Sequence, residues 1–230
     1  MGNLRSGPPD DLVLSLRKAL GIRYFIETGT FTGKTAEWAA RCFQRVYTVE
    51  FSQEIWFRAQ KRLGPLKNVI SMFGHSAEVL SKVVSELDGP AICWLDAHWS
   101  GGDTYGSFDE CPLLAELKVL RSVRDSIILI DDARLFLSPP PPPHDPKMWP
   151  DIATIIDRLN SDERRDVIVI DDVIVAYPKS ASAEVMAYCQ FVNSRLEKER
   201  LSRAPFLARF SRLLLRLLGK LRRKIMAKLP

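Results

Sequence analysis

Acidic residues close several apolar segments of this 230-residue chain. Asp96 follows one apolar run and lies two residues before His98, while Asp131 and Asp132 follow another. If these runs are neighbouring parallel strands, the three aspartates share one crevice at the carboxyl edge of the sheet. Crowded carboxylates repel one another unless protons or a cation offset their charge, and hard oxygen ligands suit Mg²⁺ or a similar divalent ion. The alternative is that Asp96 and Asp131 cap strands or helices and that His98 is structural.

A second group of candidate residues lies in segment 24–35, where an apolar run ends in Glu27 and is followed by Gly29 and Gly33. The run predicts a buried strand, and the apolar spacing after Gly33 predicts an amphipathic helix. Glycines let the backbone approach a ligand closely and adopt positive φ, and the start of a helix offers free N–H groups. The turn is neither a P-loop, which needs four residues between its glycines, nor a dinucleotide fingerprint, which needs a third glycine. It is a candidate ligand-binding turn, with a plain strand-to-helix connection as the alternative.

The hydrophobic pattern predicts an α/β fold, because short apolar runs alternate with amphipathic segments. The predicted strands lie near residues 24–27, 45–50, 69–73, 91–96 and 126–130. The predicted helices lie near residues 12–20, 35–43, 52–63, 77–87, 111–121, 149–160 and 183–200. Two further runs, 167–170 and 173–177, are separated only by Asp171-Asp172. Two residues cannot make a parallel crossover, so these runs form an antiparallel hairpin. We predict a doubly wound, mostly parallel seven-stranded sheet with this terminal hairpin, and we interpret both aspartates as turn residues only.

Glu50 closes the second predicted strand. In a doubly wound sheet this strand lies beside the first, so an acid at its end is placed to accept hydrogen bonds from ribose hydroxyls. Glu50 is therefore a candidate ribose ligand, and an exposed charge at a strand end is the alternative.

The glycine turn resembles the first motif of class I S-adenosylmethionine-dependent methyltransferases, an E-x-G-x-x-x-G turn in which the acid and the backbone hold the methionine end of the cofactor. These enzymes also end in an antiparallel hairpin. The resemblance implies a Rossmann-like methyltransferase fold that binds S-adenosylmethionine. The implied contacts to its methionine end are Glu27, Thr28, Gly29, Thr30 and Gly33. The loop after the third strand faces the adenine in this family and commonly carries an acid or an amide, whereas here the candidates are His75 and Ser76.

The acids at the ends of the fourth and fifth strands resemble those of the metal-dependent sugar and macrolide O-methyltransferases of the macrocin type. In that family the fourth strand ends in Leu-Asp-x-Asp and the fifth in Asp-Asp, and this chain has Leu-Asp-Ala-His and Ile-Asp-Asp. The resemblance implies that Asp96, Asp131 and Asp132 bind the metal and that position 98 is the general base. His98 replaces the family's acid, and a neutral imidazole is a competent base for a hydroxyl whose own pKa a metal has lowered. Asp96 is assigned to the cofactor and catalytic sites as well.

Composition is that of a globular protein, with 46% hydrophobic and 27% charged residues. Four cysteines without CxxC spacing indicate reduced residues in a cytosolic protein. Segment 1–11 has two prolines, two acids and no apolar core, so we predict no signal peptide. No apolar run is long enough to span a bilayer. We therefore expect a cytoplasmic location, with peripheral membrane attachment through the C-terminal segment.

That C-terminal segment is strongly basic. Residues 201–230 hold nine of the 33 Lys and Arg residues and none of the 28 Asp and Glu residues, so residues 1–200 have a net charge of −4. Leucines and phenylalanines recur on one helical face, which predicts a basic amphipathic helix that binds an anionic membrane surface through residues 203–228. A helix for a partner protein and a helix packed on its own core are the alternatives. Nucleic acid is not expected, because the basic residues lie among leucines and not among stacking aromatics.

We predict three parts: an N-terminal helix or arm (1–20), a methyltransferase-like domain (21–200) and the basic tail (201–230). The predicted function is metal-assisted O-methylation of a sugar, polyol or glycan-type small molecule. The alternatives are a non-catalytic, membrane-associated binding protein on the same fold and a metal-dependent hydrolase or hydroxylase. A run of five prolines, 139–143, is either a stiff lid or a surface loop. The sequence leaves the acceptor and the oligomeric state open.

Overall fold

The computed structural model describes residues 7–99, 109–161 and 164–202. The chain divides into two units, residues 1–186 and 187–230. The first unit contains the whole sheet, and the described part of the second is helical. Within the described ranges, none of the helices is both long enough and apolar enough to cross a membrane. The predicted amphipathic tail lies outside the described residues, as does the start of the predicted N-terminal arm, and the predicted part boundaries stay predictions.

Helices and strands alternate along the chain, as predicted. The helices are α1 (Asp10–Leu20), α2 (Lys34–Cys42), α3 (Gln53–Leu63), α4 (Ser76–Ser85), α5 (Leu113–Leu120), α6 (Arg134–Leu137), α7 (Ile152–Asn160) and α8 (182–202). The strands are β1 (Tyr24–Thr28), β2 (Arg45–Glu50), β3 (Val69–Phe73), β4 (Ala91–Leu95), β5 (Ile127–Ile130), β6 (Arg165–Ile170) and β7 (Val173–Pro178).

The seven strands form one sheet in the order β3-β2-β1-β4-β5-β7-β6. The strands from β3 to β5 pair in parallel, and β7 pairs antiparallel with both β5 and β6. The predicted mixed sheet with a terminal hairpin is therefore confirmed. Thr28 at the end of β1 lies beside Leu95 at the end of β4. The strand order reverses between these two strands, and ligands of open α/β sheets bind in the crevice at such a point.

Helix α7 begins three residues later than predicted, and local chemistry explains the difference. Trp149 precedes Pro150, and the residue before a proline is disfavoured from helical conformation. The backbone of Trp149 is accordingly extended, with φ −111° and ψ 128°. Asp151 then caps the helix by accepting a hydrogen bond from Thr154 N at 2.7 Å. Trp149 is thereby left in the preceding loop.

Candidate active site

The turn after β1 is held against the ends of β2 and β4. Gly29 N donates to Val49 O at 2.9 Å, and Gly33 N donates to Thr30 O at 2.8 Å. Gly29 has a φ of 87° and Gly33 a φ of 73°. A Cβ on Gly29 would lie 2.2 Å from Asp96 O. The protein's own backbone after β4 therefore requires a glycine at position 29.

Glu27 lies beneath this turn and is 1% exposed. Its Oε2 accepts a hydrogen bond from Thr48 Oγ1 at 2.6 Å, and the Thr48 hydroxyl is 2.6 Å from Thr30 Oγ1. Burial raises the pKa of Glu27 to about 8, against the opposing effect of the Thr48 hydrogen bond. At pH 7 the side chain thus keeps its proton and supports the turn from below. Direct contact of Glu27 with a cofactor stays a prediction.

Replacing Glu27 with glutamine is expected to remove a pH dependence of stability. The carboxyl titrates near 4.5 in the unfolded chain and at about 8 in the folded protein. Between these values the folded state holds a proton that the unfolded state has released, so this group's contribution is full below pH 4.5 and is lost as the pH rises to about 8. The free energy of unfolding should fall by up to ~1.4 kcal/mol per pH unit in this window.

Urea unfolding at intervals between about pH 5 and pH 8 measures this effect. Relative to the wild type, Glu27→Gln should gain stability steadily as the pH rises. Glu78→Gln, an exposed glutamate on α4, is the matched control and should follow the wild-type curve. Parallel curves for the wild type and Glu27→Gln would show that the pKa of Glu27 is the same in the folded and unfolded states.

Glu50 stands at the end of β2, partly exposed. Its Oε2 accepts a hydrogen bond from Phe31 N and its Oε1 from Ser52 N, each at 2.9 Å. A carboxylate has about four acceptor positions, so both oxygens keep the capacity to accept another hydrogen bond. Two backbone amides thus hold the carboxylate in a fixed orientation. Its remaining acceptor positions suit hydrogen bonds donated by ribose hydroxyls.

His75 and Ser76 lie at the start of α4, on the Glu50 side of the crevice. His75 Nε2 is 3.1 Å from Asp109 Oδ2, and its ring meets Phe51 edge-on with the centroids 5.4 Å apart. The His75 side chain is 26% exposed, so it is a paired residue at the border of the crevice. Ser76 is 5% exposed and lies beneath that border.

Glu116 on α5 is a buried acid that the sequence analysis missed. It is 1% exposed, and burial raises its pKa, while the hydroxyls of Ser76 and Thr28 oppose the shift. Glu116 Oε1, Thr28 Oγ1 and Ser76 Oγ are buried without a hydrogen-bond partner of good geometry among the described residues. The side chains of Thr28 and Ser76, both predicted cofactor contacts, therefore face Glu116 in the interior. A signal was present, because Glu116 shares the apolar face of its helix with Leu113 and Leu120.

His98 and Asp132 form a part-buried pair at the ends of β4 and β5. His98 Nε2 lies 3.0 Å from Asp132 Oδ2, and the His98 side chain is 6% exposed. His98 Nδ1 lies 3.8 Å from Asp96 Oδ1, and Trp149 closes one side of the ring at a centroid distance of 5.4 Å. Burial lowers the pKa of His98, but the Asp132 hydrogen bond and the charges of Asp96 and Asp132 outweigh burial, so the pKa is raised. The structure thus brings the predicted base and two predicted acids together.

The metal site predicted at Asp96, Asp131 and Asp132 stays a prediction. In the part of the chain that the structure describes, no group of three or more His, Cys, Asp or Glu side chains is arranged to hold a metal ion. Both oxygens of Asp132 are taken, since Oδ2 faces His98 and Oδ1 lies 2.6 Å from Arg134 Nη1. Burial raises the pKa values of Asp96 and Asp131, and neighbouring carboxylates add to the shift of Asp131. Arg134 thus supplies positive charge beside these acids.

Arg134 and Asp172 are site residues that sequence reasoning did not find. The Arg134 guanidinium pairs with Asp132 and also with Asp172. Asp172 was interpreted as a turn residue only, and the structure corrects this, because its carboxylate reaches 38 residues back along the chain. Sequence carries no signal for such a contact, since it depends on how the hairpin lies beside β5.

The loop before α7 is anchored by Glu110, which is 4% exposed. Its carboxylate accepts hydrogen bonds from Trp149 Nε1 at 2.7 Å and Asp145 N at 3.1 Å, and faces His144 Nδ1 at 3.3 Å. The prolines 141–143 are exposed, which agrees with a surface loop. The end of this loop packs against His98 through Trp149.

No protein-family model and no curated protein matches this chain. Among solved structures, the chain is similar to a Staphylococcus aureus protein provisionally named a caffeoyl-CoA O-methyltransferase, at 13% identity and a TM-score of 0.56, over 77% of this chain and 86% of that one. It is also similar to cofactor-bound Rv0187 from MTB, at 18% identity and a TM-score of 0.52, over 77% and 83% of the two chains. At such identities the likeness concerns the fold alone.

These likenesses and the strand order define the class of fold: the first unit has a Rossmann-like methyltransferase fold. The finer resemblance to macrocin-type sugar and macrolide enzymes stays a prediction. Two groups of side chains line the crevice of this fold. Glu50 and His75 lie on the β2–β3 side, while Asp96, His98 and Asp132 lie on the β4–β5 side.

Proposed function

We propose that this protein is an S-adenosylmethionine-dependent O-methyltransferase that acts on a hydroxyl of a sugar, polyol or glycan-type small molecule. The observation that carries the proposal is the part-buried His98–Asp132 pair, with Nε2 and Oδ2 3.0 Å apart, at the carboxyl edge of the sheet. A histidine held by a carboxylate is suited to removing a proton from a hydroxyl. The fold shared with a protein named an O-methyltransferase supports the same reaction.

The residues of the crevice fit S-adenosylmethionine, which supplies an electrophilic methyl group when bound. Glu50 keeps acceptor capacity for the ribose hydroxyls, and its carboxylate is held in place by two backbone amides. The turn of residues 28–33 meets the start of α2, where free N–H groups suit the carboxylate of the methionine end. His75 and Phe51 border the side on which the adenine would lie.

His98 acts as the general base through Nδ1. Because Asp132 Oδ2 accepts the hydrogen bond from Nε2–H, the lone pair of the neutral imidazole lies on Nδ1. Nδ1 takes the proton of the acceptor hydroxyl, which makes that oxygen nucleophilic, and Asp132 stabilises the imidazolium that forms. Asp96, with Oδ1 3.8 Å from Nδ1, lies beside this position and orients the hydroxyl.

Metal assistance is a separate part of the proposal, in which Asp96, Asp131 and Asp132 would hold a divalent ion. The positive charge next to the acids comes from Arg134, which pairs with Asp132. Binding and turnover measured with Mg²⁺ and with a chelator test the point: turnover that needs Mg²⁺ supports metal assistance, and equal values under both conditions argue against it.

Calorimetric titration with S-adenosylmethionine tests the proposal. We expect binding in the micromolar range, and we expect Glu50→Gln to weaken it at least about tenfold, as loss of a hydrogen bond to a charged group does. Glu54→Gln is the matched control, because Glu54 lies in the first turn of α3 with its side chain 80% exposed. If the wild type does not bind, the likeness is one of fold only, and the non-catalytic binding protein becomes the better account.

We also propose that residues 203–228 attach the protein to an anionic membrane surface. The support is compositional, since residues 201–230 carry nine basic side chains, no acid and a regular series of leucines. Basic residues near an anionic leaflet contribute about 1 kcal/mol each, and the apolar face adds to binding by burial. The tail would hold the crevice near lipid-linked glycans.

Deletion of residues 203–230 is expected to release the protein from anionic liposomes. Co-sedimentation with vesicles of phosphatidylserine and phosphatidylcholine measures attachment, and circular dichroism checks that the shortened chain stays folded. Vesicles of phosphatidylcholine alone are the control and should bind the full chain weakly. Retention of the shortened chain on anionic vesicles would locate the anchor elsewhere.

A further inference from the structure

The hairpin turn between β6 and β7 has a composition that its geometry does not favour. Asp171 and Asp172 have φ values of 52° and 66°, as the two central residues of a type I′ turn require. Such turns favour Asn-Gly or Asp-Gly, because glycine adopts positive φ without strain. An aspartate at the second position is therefore disfavoured by the turn itself, which indicates a further role for its carboxylate.

That carboxylate holds the turn after β5. Asp172 Oδ1 accepts a hydrogen bond from Arg134 N at 2.9 Å, and Oδ2 pairs with the Arg134 guanidinium. The carbonyl oxygen of Asp172 accepts a further hydrogen bond, from Ala133 N at 2.9 Å. The Asp172 side chain is only 10% exposed. Three contacts thus fasten the hairpin to the backbone segment that follows Asp132.

Arg134 continues this line of contacts to the base. Its Nη1 lies 2.6 Å from Asp132 Oδ1, and the other Asp132 oxygen lies 3.0 Å from His98 Nε2. Asp132 has a φ of 55°, a strained conformation that persists only where the surroundings determine it. Because Arg134 holds one oxygen, the second oxygen has a fixed direction toward the ring of His98.

We propose that Arg134 and Asp172 are positioning residues for His98, an inference that rests on the proposed function. Asp172 holds Arg134, Arg134 holds Asp132, and Asp132 holds Nε2–H, which keeps the lone pair of Nδ1 toward the acceptor. Neither residue touches the reacting atoms. The terminal hairpin thus helps to orient His98 at the carboxyl ends of β4 and β5.

The ring N–H proton of His98 reports this arrangement without any acceptor. In protein labelled with ¹⁵N at its three histidines, the Nε2–H resonance is assigned by loss in His98→Gln, and it should be visible because Asp132 protects it from exchange. Arg134→Met keeps the side-chain stem and removes both ion pairs. Asp172→Gly removes the carboxylate from a turn that glycine suits. In both variants we expect this proton to exchange at least about tenfold faster, as loss of a charge-assisted hydrogen bond predicts.

Two further variants separate positioning from general stability. Arg134→Lys restores a charged donor to the two aspartates and should recover the protected resonance. Arg23→Met breaks an ion pair of similar exposure, 47% against 43% for the arginine side chain, between the amino ends of β1 and β4, and should leave His98 unchanged. Wild-type exchange in both Arg134→Met and Asp172→Gly overturns the inference, as does the same loss of protection in Arg23→Met. Absence of S-adenosylmethionine binding, measured separately, defeats the proposed function and leaves this test of His98 intact.

Discussion

Gly29→Ala is expected to destabilise the protein by at least ~3 kcal/mol and to abolish cofactor binding. A Cβ at this position lies 2.2 Å from Asp96 O and 2.7 Å from Asp96 C. Both contacts are with backbone atoms, so no rotamer change relieves them, and the turn after β1 must separate from the end of β4. The φ of 87° adds strain for any residue with a Cβ.

Gly21→Ala is the matched control for this prediction. Gly21 ends α1 with a φ of 64°, and a Cβ there meets nothing within 4 Å. Its replacement should cost only about 1 kcal/mol, which is the conformational cost of positive φ without a clash. Urea unfolding gives both values, and calorimetry gives the affinity for S-adenosylmethionine. Equal losses of stability in the two variants would show that the close approach to Asp96 has no effect of its own.

Two different reasons account for the glycine at position 29. The sequence pattern accounts for Gly29 by the approach of a ligand to the backbone. The structure supplies another cause, because the carbonyl after β4 already occupies the space that a side chain needs. Loss of binding in Gly29→Ala would therefore follow from a displaced turn as well as from a filled cofactor site.

His98→Gln is expected to lower the rate of methyl transfer by ~10²–10⁴-fold while the affinity for S-adenosylmethionine changes less than about twofold. Glutamine retains a donor near Asp132 but offers no basic nitrogen at the position of Nδ1. The ring of His98 lies on the β4–β5 side of the crevice, away from Glu50 and His75, so the cofactor contacts should persist.

The measurement uses a sugar or polyol acceptor found by screening, at saturating S-adenosylmethionine, with kcat and KM determined separately. Asp132→Asn provides a graded comparison, because it keeps an oxygen that accepts from Nε2–H and removes the charge that stabilises the imidazolium. Its kcat should fall less than that of His98→Gln. Activity of His98→Gln within about tenfold of the wild type would exclude His98 as the base.

The alternation of helices and strands and the direction of the strands followed from the sequence by itself. Apolar runs of strand length alternate with amphipathic helices, and this pattern forces parallel pairing through crossovers. The runs on either side of Asp171 and Asp172 have only two residues between them, which permits an antiparallel hairpin alone. Because parallel strands share a carboxyl edge, the placement of Glu50, Asp96 and Asp132 around one crevice followed as well.

The sequence did not determine which atoms meet at that edge. It predicted that three aspartates share this edge, but it did not predict that Asp132 faces both His98 and Arg134. These pairs join residues far apart in the chain, 34 residues for His98 with Asp132 and 38 for Arg134 with Asp172. Local propensities act over a few residues, so they place the strand ends but cannot orient side chains that meet across them.

The burial of charge was likewise decided by the tertiary structure. Glu27 closes an apolar run, and Glu116 lies on an apolar helix face. Sequence reasoning singled out Glu27 and missed Glu116. Both carboxyls are 1% exposed, and burial raises the pKa of each. Protonation thus depends on which layer covers a side chain, and that layer forms only when helices from distant segments pack onto the sheet. The sequence determined which residues lie at the carboxyl edge of the sheet, and the tertiary packing decided which of them are buried and paired.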